Sequence, residues 1–149
     1  PKEFTLHIYG KGHLQSKYQK QIDDAKLSKR VTIKNEFIDR SEMNEFFTKY
    51  GIFLSPTRMD AQGVTMCEAM ASGLLVASNN NTAIPEFIED NYNGLLSNDS
   101  KSLAQKILKI TENIEPFKLV IYNGRRSMEK ISIDKTVSNE IKSLEAIIQ

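Results

Sequence analysis

Apolar positions in this chain recur in two ways: short runs with a period of two or a continuous apolar stretch, and longer polar runs with an apolar residue every three or four positions. Their succession sets out a βα rhythm. Phe4 to Tyr9 alternates and stops at a glycine turn, which predicts a strand. Leu14 to Leu27 is polar, with Leu14, Tyr18, Ile22 and Ala25 at helical spacing, and predicts a helix on the surface of a sheet. Val31 to Ile33 is a short β-branched run. Ser41 to Tyr50 reads as a helix, with Ser41 placed before Glu42 and Glu45 as its N-cap. Ile52 to Leu54, Leu74 to Ala77 and Leu95 to Leu96 supply further strands, and Val64 to Ser72 a helix between the first two of them. Ser100 to Ile114 carries Leu103, Ala104, Ile107, Leu108 and Ile110 on one face and is amphipathic. Pro116 opens another helix, since proline is tolerated in a first turn. Asp134 to Ile148 is the last, with Asp134 as its cap. This alternation predicts an α/β fold, a parallel sheet flanked by helices, in a single domain over residues 1–149 without repeat or linker.

Composition narrows the function classes. A chain of 149 residues that is 40% hydrophobic can bury one core. Twenty Lys and Arg against 19 Asp and Glu leave +1, with no basic block, so a nucleic-acid partner is disfavoured. No apolar run approaches the roughly 18 to 20 residues that span a bilayer, and no signal segment opens the chain, so a cytoplasmic location is expected. Cys67 is the single cysteine; it excludes an internal disulfide and reads as core packing on its helix. There is no Cys and His set at metal-ligand spacing. His7 and His13 lack the neighbours of a catalytic triad and read as structural. Met43, Met59, Met66, Met70 and Met128 read as core filler.

The stretch Leu54 to Gly73, LSPTRMDAQGVTMCEAMASG, concentrates the chemistry. A strand runs through a loop into a helix start, with Asp60 in the loop, Glu68 in the helix and Gly63 between. Gly63 lets a ligand approach the backbone. The N–H groups of Val64, Thr65 and Met66 fall in the first helical turn, where orphan donors and the dipole favour an anion such as a diphosphate.

These residues resemble the P-S-x-x-E-x-x-G-x-x-x-x-E-A-M-A-x-G block of retaining GT-B glycosyltransferases of the family 4 type. Pro56, Gly63 and the run Glu68 to Ala71 stand in its places, and so does Gly73. Asp60 replaces the first glutamate of the E-x7-E pair, one methylene shorter with the charge kept. The resemblance extends from FTLHIYGKG (Phe4 to Gly12) to KISIDKTVSNEI (Lys130 to Ile141). Pro85, Glu86, Ile88, Asp90 and Gly94 match a P-E-x-I/V-x-D/E-x-x-x-G segment, but the family's paired glycines before it are replaced by Asn81, Thr82 and Ala83.

What the resemblance implies is the Rossmann-like C-terminal domain of a GT-B fold. In it Glu68 accepts hydrogen bonds from the ribose hydroxyls, and Gly63, Val64 and Thr65 offer N–H groups to the diphosphate. Asp60 meets the donor sugar or favours the charge developing at its anomeric carbon, the catalytic role. Arg58 is a candidate cation near the phosphates, and Glu86 a cleft candidate. Gly10 and Gly12 form a turn at the cleft rim. Phe37 follows the strand from Val31, where the family reads the base; core packing is its other reading. The expected donor is a UDP- or GDP-sugar, with no cofactor and no metal. The implied acceptor is a glycan or lipid-linked chain, held by an N-terminal half outside this sequence, as is a strand-helix pair that carries basic residues. The whole enzyme is then expected to make capsule, lipopolysaccharide or another surface polysaccharide, with peripheral association at the inner face of the membrane. Weak donor binding and no transfer are expected of this chain alone. Two other readings stand beside it, a sugar-nucleotide epimerase of GT-B fold and a non-catalytic Rossmann-like interaction module. Whether the last helix packs on this domain or crosses to the other half stays open.

Overall fold

The computed structural model describes residues 4–57 and 63–148, in two compact units, Pro1–Phe46 and Phe47–Gln149. In the first, β1 (Leu6–Tyr9) pairs in parallel with β2 (Val31–Lys34), Leu6 opposite Val31 and Tyr9 opposite Lys34. The connection is α1 (Gln15–Asp24). This helix ends three residues before the predicted Leu27. Lys26 adopts a left-handed φ of 56°, its N–H bonds to Asp23 O, and Leu27 N–H bonds to Ile22 O. That pair of bonds is a Schellman closure, which terminates the helix although no glycine announces it. Ile22 is the only buried hydrophobic of this unit among the described residues. Tyr9 and Phe46 meet edge to face, ring centroids 4.9 Å apart.

The helix predicted from Ser41 is shorter, α2 (Met43–Phe47). Ser41 does not begin it: its N–H and hydroxyl both donate to Asp39 Oδ1, a local turn that competes with capping.

In the second unit β3 (Ile52–Ser55), β4 (Leu75–Asn79) and β5 (Leu95–Ser97) form a parallel sheet in that order. The middle strand is buried from Leu75 to Ser78, as a parallel strand covered on both faces must be. Between β3 and β4 lies α3 (Val64–Ala71), which buries Met66, Ala69 and Met70. It stops one residue short of the predicted Ser72, in a second Schellman closure: Leu74 N–H to Ala69 O and Gly73 N–H to Met70 O. Next come α4 (Ile84–Phe87), α5 (Ser100–Glu112) and α6 (Glu115–Lys130). Leu103 of α5 and Val120 of α6 pack on Leu75, Ala77 and Leu95, with Ile52, Ile107 and Phe117 around them.

Asp99 caps α5, accepting from Ser102 N–H (2.9 Å) and from its hydroxyl (2.7 Å). Asn113 takes an extended backbone and ends α5 two residues before the predicted Ile114, and Pro116 sits in the first turn of α6 as expected. Asp90, from the Pro-Glu segment, accepts from Leu96 N–H at 2.8 Å and pairs with Lys106, which also donates to Leu96 O. The last helix, α7 (Ile133–Ile148), starts one residue earlier than predicted, so Asp134 lies in its first turn and not at its cap. No described residue of α7 is buried. Met66, Met70 and Met128 are buried as expected, Met43 and Cys67 are half-buried, and Met59 lies outside the described residues.

Candidate functional site

Because β3, β4 and β5 are parallel, their carboxyl ends share one edge, with Ser55 opposite Ser78 and Asn79 opposite Ser97. Ligands of open α/β sheets bind outside such an edge. Here the segments leaving β3 and β4 meet.

Gly63 is the hinge between loop and helix. It is buried and stands at the N-cap of α3 with φ 57° and ψ 29°, in the left-handed region. A Cβ there would come within 2.9 Å of Met66 Cε and 3.7 Å of Ile84 Cδ1. Ile84, which begins α4, thus lies beside the start of α3. Gly63 has no side chain to cap α3, and its carbonyl accepts the first helical bond, from Cys67 N–H at 2.9 Å. The N–H groups of Val64 and Thr65 belong to the turn where helix geometry supplies no carbonyl within the helix.

Glu68 lies four residues after Val64 and three after Thr65, so the three side chains share a face of α3. Side chains lean towards the helix start, which lays the Glu68 carboxylate over that first turn. Val64 and Thr65 are exposed and Glu68 is half-buried, while Met66, Ala69 and Met70 face the core. An acceptor-only carboxylate therefore stands beside a helix start with outward donors. A ligand that carries both an anion and hydroxyl groups fits that pair.

The segment leaving β4 contributes groups that the sequence motifs do not flag. Ser78 is fully buried, and its hydroxyl donates to Ser55 O at 2.7 Å. Asn79 Nδ2 and Asn81 Nδ2 both donate to Thr57 O, each at 3.1 Å. Asn81 Oδ1 is buried without a partner among the described residues. Thr82, β-branched, has a left-handed φ of 49°. The signal for this cluster is the run Ser78-Asn79-Asn80-Asn81-Thr82 after a strand, since Asn side chains bond nearby backbone readily. Glu86 is exposed in the first turn of α4.

Of the other predicted residues, Asp60 and Arg58 lie outside the described residues. Gly10, Gly12 and Phe37 belong to the first unit. Gly10 follows β1 and bonds Lys34 O through its N–H; Gly12 O accepts from Gln15 N–H. Phe37 is 71% exposed, so the core reading is corrected. The reason is its position in the loop after β2, where Lys11 Nζ lies 5.6 Å from its ring centroid. Among the described residues no group of three His, Cys, Asp or Glu could hold a metal ion, and no helix is long and apolar enough to cross a membrane.

The sequence profile of the family described as Glycosyl transferases group 1 matches residues 1–113. A poly(ribitol-phosphate) alpha-N-acetylglucosaminyltransferase of Staphylococcus aureus is 34% identical over 72% of this chain and 22% of its own length. The amylovoran biosynthesis glycosyltransferase AmsK of Erwinia amylovora is 31% identical over 85% of this chain and 33% of its own. The chain thus spans a third or less of either relative. Among solved structures, a point mutant of S. aureus TarM in complex with fondaparinux, alpha-GlcNAc-glycerol and UDP superposes with a TM-score of 0.78 at 26% identity, over 93% of this chain and 28% of TarM. The C-terminal domain of the Francisella tularensis group 1 glycosyl transferase LpcC shares the fold, with a TM-score of 0.72 at 23% identity over 80% of this chain and 63% of that domain.

Proposed function

The chain belongs to the glycosyl transferases group 1 family, and on that premise we propose that it is the nucleotide-sugar-binding domain of a retaining enzyme of surface-polysaccharide synthesis. The observation that carries the reading is the start of α3, where Glu68 lies over the exposed first turn at the carboxyl edge of a parallel sheet. Glu68 takes the ribose hydroxyls, since one carboxylate accepts two O–H donors. Val64 and Thr65 present their N–H groups to the diphosphate, and the helix dipole steadies it as it departs. Asp60 is assigned to the sugar and to the positive charge developing at its anomeric carbon. Arg58 supplies a cation near the phosphates.

A UDP-sugar is the favoured donor, with a GDP-sugar second. TarM, at 26% identity, was solved with UDP, and a 30% identical Streptococcus gordonii relative is named for UDP-N-acetylglucosamine. The acceptor, a glycan or lipid-linked chain, is assigned to a part of the enzyme outside this chain, at the inner face of the membrane.

Calorimetric titration of the chain with UDP, GDP and ADP tests the reading. Weak binding of one of them is expected, and silence with all three refutes it. Glu68→Ala removes hydrogen bonds to a charged group, each worth about 1.5–3 kcal/mol, and is expected to weaken that binding about 10- to 100-fold. Unchanged binding refutes the role of Glu68 and favours a non-catalytic module.

A further inference from the structure

We propose that the outer face of α6, with Tyr92 beside it, is a self-complementary surface through which two copies of this chain pair, their α6 helices antiparallel about a twofold axis. The proposal goes beyond the donor-domain reading and does not rest on it.

α6 turns Val120, Gly124 and Met128 to the core and leaves Leu119, Tyr122 and Arg126 exposed. Leu119 is 62% exposed and Tyr122 55%. Tyr92 comes from the loop that enters β5, at the amino edge of the sheet, opposite the edge from which α3 starts. That loop is tied down at several points. Asn91 takes a left-handed φ of 60° and its N–H bonds to Gly94 O. Asn93 Nδ2 reaches Phe87 O and Ser127 Oγ, and Asn123 Nδ2 donates to Tyr92 O at 3.0 Å. Yet the Tyr92 side chain stays 49% exposed. A large ring on a fixed loop, held there without being buried, is preorganised for contact with another molecule.

Arg126 is set among these rings. Its Nη1 donates to the Tyr122 hydroxyl at 3.4 Å, and its guanidinium carbon lies 5.9 Å from that ring's centroid. The hydrogen bond and charge of Tyr122 raise its pKa first, and Glu129 and Tyr92 raise it further, so both stand near. Tyrosine and arginine so placed are the residues that anchor protein interfaces.

The order of charges selects the partner. Along the exposed face run Lys118, Tyr122, Arg125 with Arg126, and then Glu129, a cation at one end and an anion at the other. A second α6 laid parallel in register sets like against like. Laid antiparallel, it sets Lys118 against Glu129 of the second copy and Tyr122 against its Arg125, and each contact occurs twice. Leu119 and Tyr92 share the flank of Arg126 and meet their counterparts there. The Lys118–Glu115 pair is exposed on both sides and contributes little, so it does not bar the exchange. A uniformly acidic partner or an anionic lipid surface would instead be opposed by Glu115 and Glu129 on the same face.

The patch is small beside the roughly 800 Å² per partner of a standard interface, so a dissociation constant on the order of 10–100 µM is expected. Sedimentation equilibrium of the chain from about 5 to 500 µM tests this. The mass is expected to rise from 16.9 kDa towards twice that value. Tyr122→Ser is expected to weaken the association by about tenfold or more. Lys118→Glu and Glu129→Lys are each expected to weaken it, and the two together to restore it to within about threefold, since the pair is then reversed. Far-UV circular dichroism checks that each variant folds, and the charge reversal decides the matter if Tyr122→Ser does not. A chain that is monomeric throughout overturns the proposal, and so does a double reversal as weak as the single ones. A dimer that survives the α6 variants but is lost in Ile141→Glu pairs through α7, which overturns it equally.

Discussion

Replacing Gly124 by alanine sets two effects of opposite sign against each other. In a helix interior Ala is favoured over Gly by about 1 kcal/mol, because glycine loses more backbone freedom on folding. Gly124, however, is buried in α6, and an added Cβ would stand 2.8 Å from the Asn93 carbonyl oxygen and 3.7 Å from Met70 Cε. The Met70 methyl can turn away, whereas the carbonyl is fixed. Asn93 Oδ1 accepts from Glu89 N–H at 2.8 Å, and Asn93 Nδ2 donates to Phe87 O at 3.0 Å and Ser127 Oγ at 3.1 Å. Restoring an ordinary contact moves the helix or the Asn93 turn by several tenths of an ångström, and overpacking of this kind costs about 1–3 kcal/mol. The net expectation is a loss of up to about 2 kcal/mol. The chain has no tryptophan, so urea unfolding is followed by far-UV circular dichroism. At a slope of about 1–2 kcal/mol per molar the midpoint falls by up to about 1–2 M. A midpoint that rises, as helix propensity alone would have it, refutes the close approach of α6 to Asn93.

Two further outcomes follow from the helices. The Ser102 hydroxyl, and then its N–H, hold the Asp99 carboxyl below the usual carboxylate range, so its cap stabilises the fold above the unfolded value of about 3.9 and is lost as pH falls through the lower folded value. Asp99→Ala should lower the melting midpoint at pH 7, with the gap to the unmodified chain narrowing as pH falls below the unfolded value of about 3.9; a gap that stays constant on acidification counts against the cap. Ile141 is 50% exposed in a helix without a buried residue, so Ile141→Glu should change unfolding free energy by less than about 0.5 kcal/mol in urea titration. A larger loss would show that α7 packs on the rest of this chain.

The parts legible in the sequence were those that periodicity or a side-chain pattern dictates. β4 and α3 are examples: a continuous apolar run bounded by turns, then E-A-M-A-S-G with small and apolar residues on the buried face. Helix ends were less legible. The Schellman closure at Gly73 could be read from its glycine, but the one at Lys26 rests on a left-handed lysine that no pattern announces. Ser41 looked like a cap, yet Asp39, two residues back, takes both its donors. Glu68 and Gly63 stand where the motif put them, Phe37 is exposed, and Asp60 and Arg58 lie outside the described residues. The Asn79 and Asn81 amides went unread because their target, Thr57, is more than 20 positions away in the chain.

Gly63 answers to backbone and core at once, and this narrows its mutational routes. The left-handed φ excludes most side chains, and asparagine is the one that tolerates it best. Its Cβ would meet Met66 Cε, the end of a flexible side chain, so Asn is accommodated only with a shift of that buried methyl. Shrinking Met66 instead would make room but open a cavity. A defective Gly63 variant would therefore mix lost folding with lost binding. Glu68, which carries no such double demand, is the position at which binding can be tested by itself.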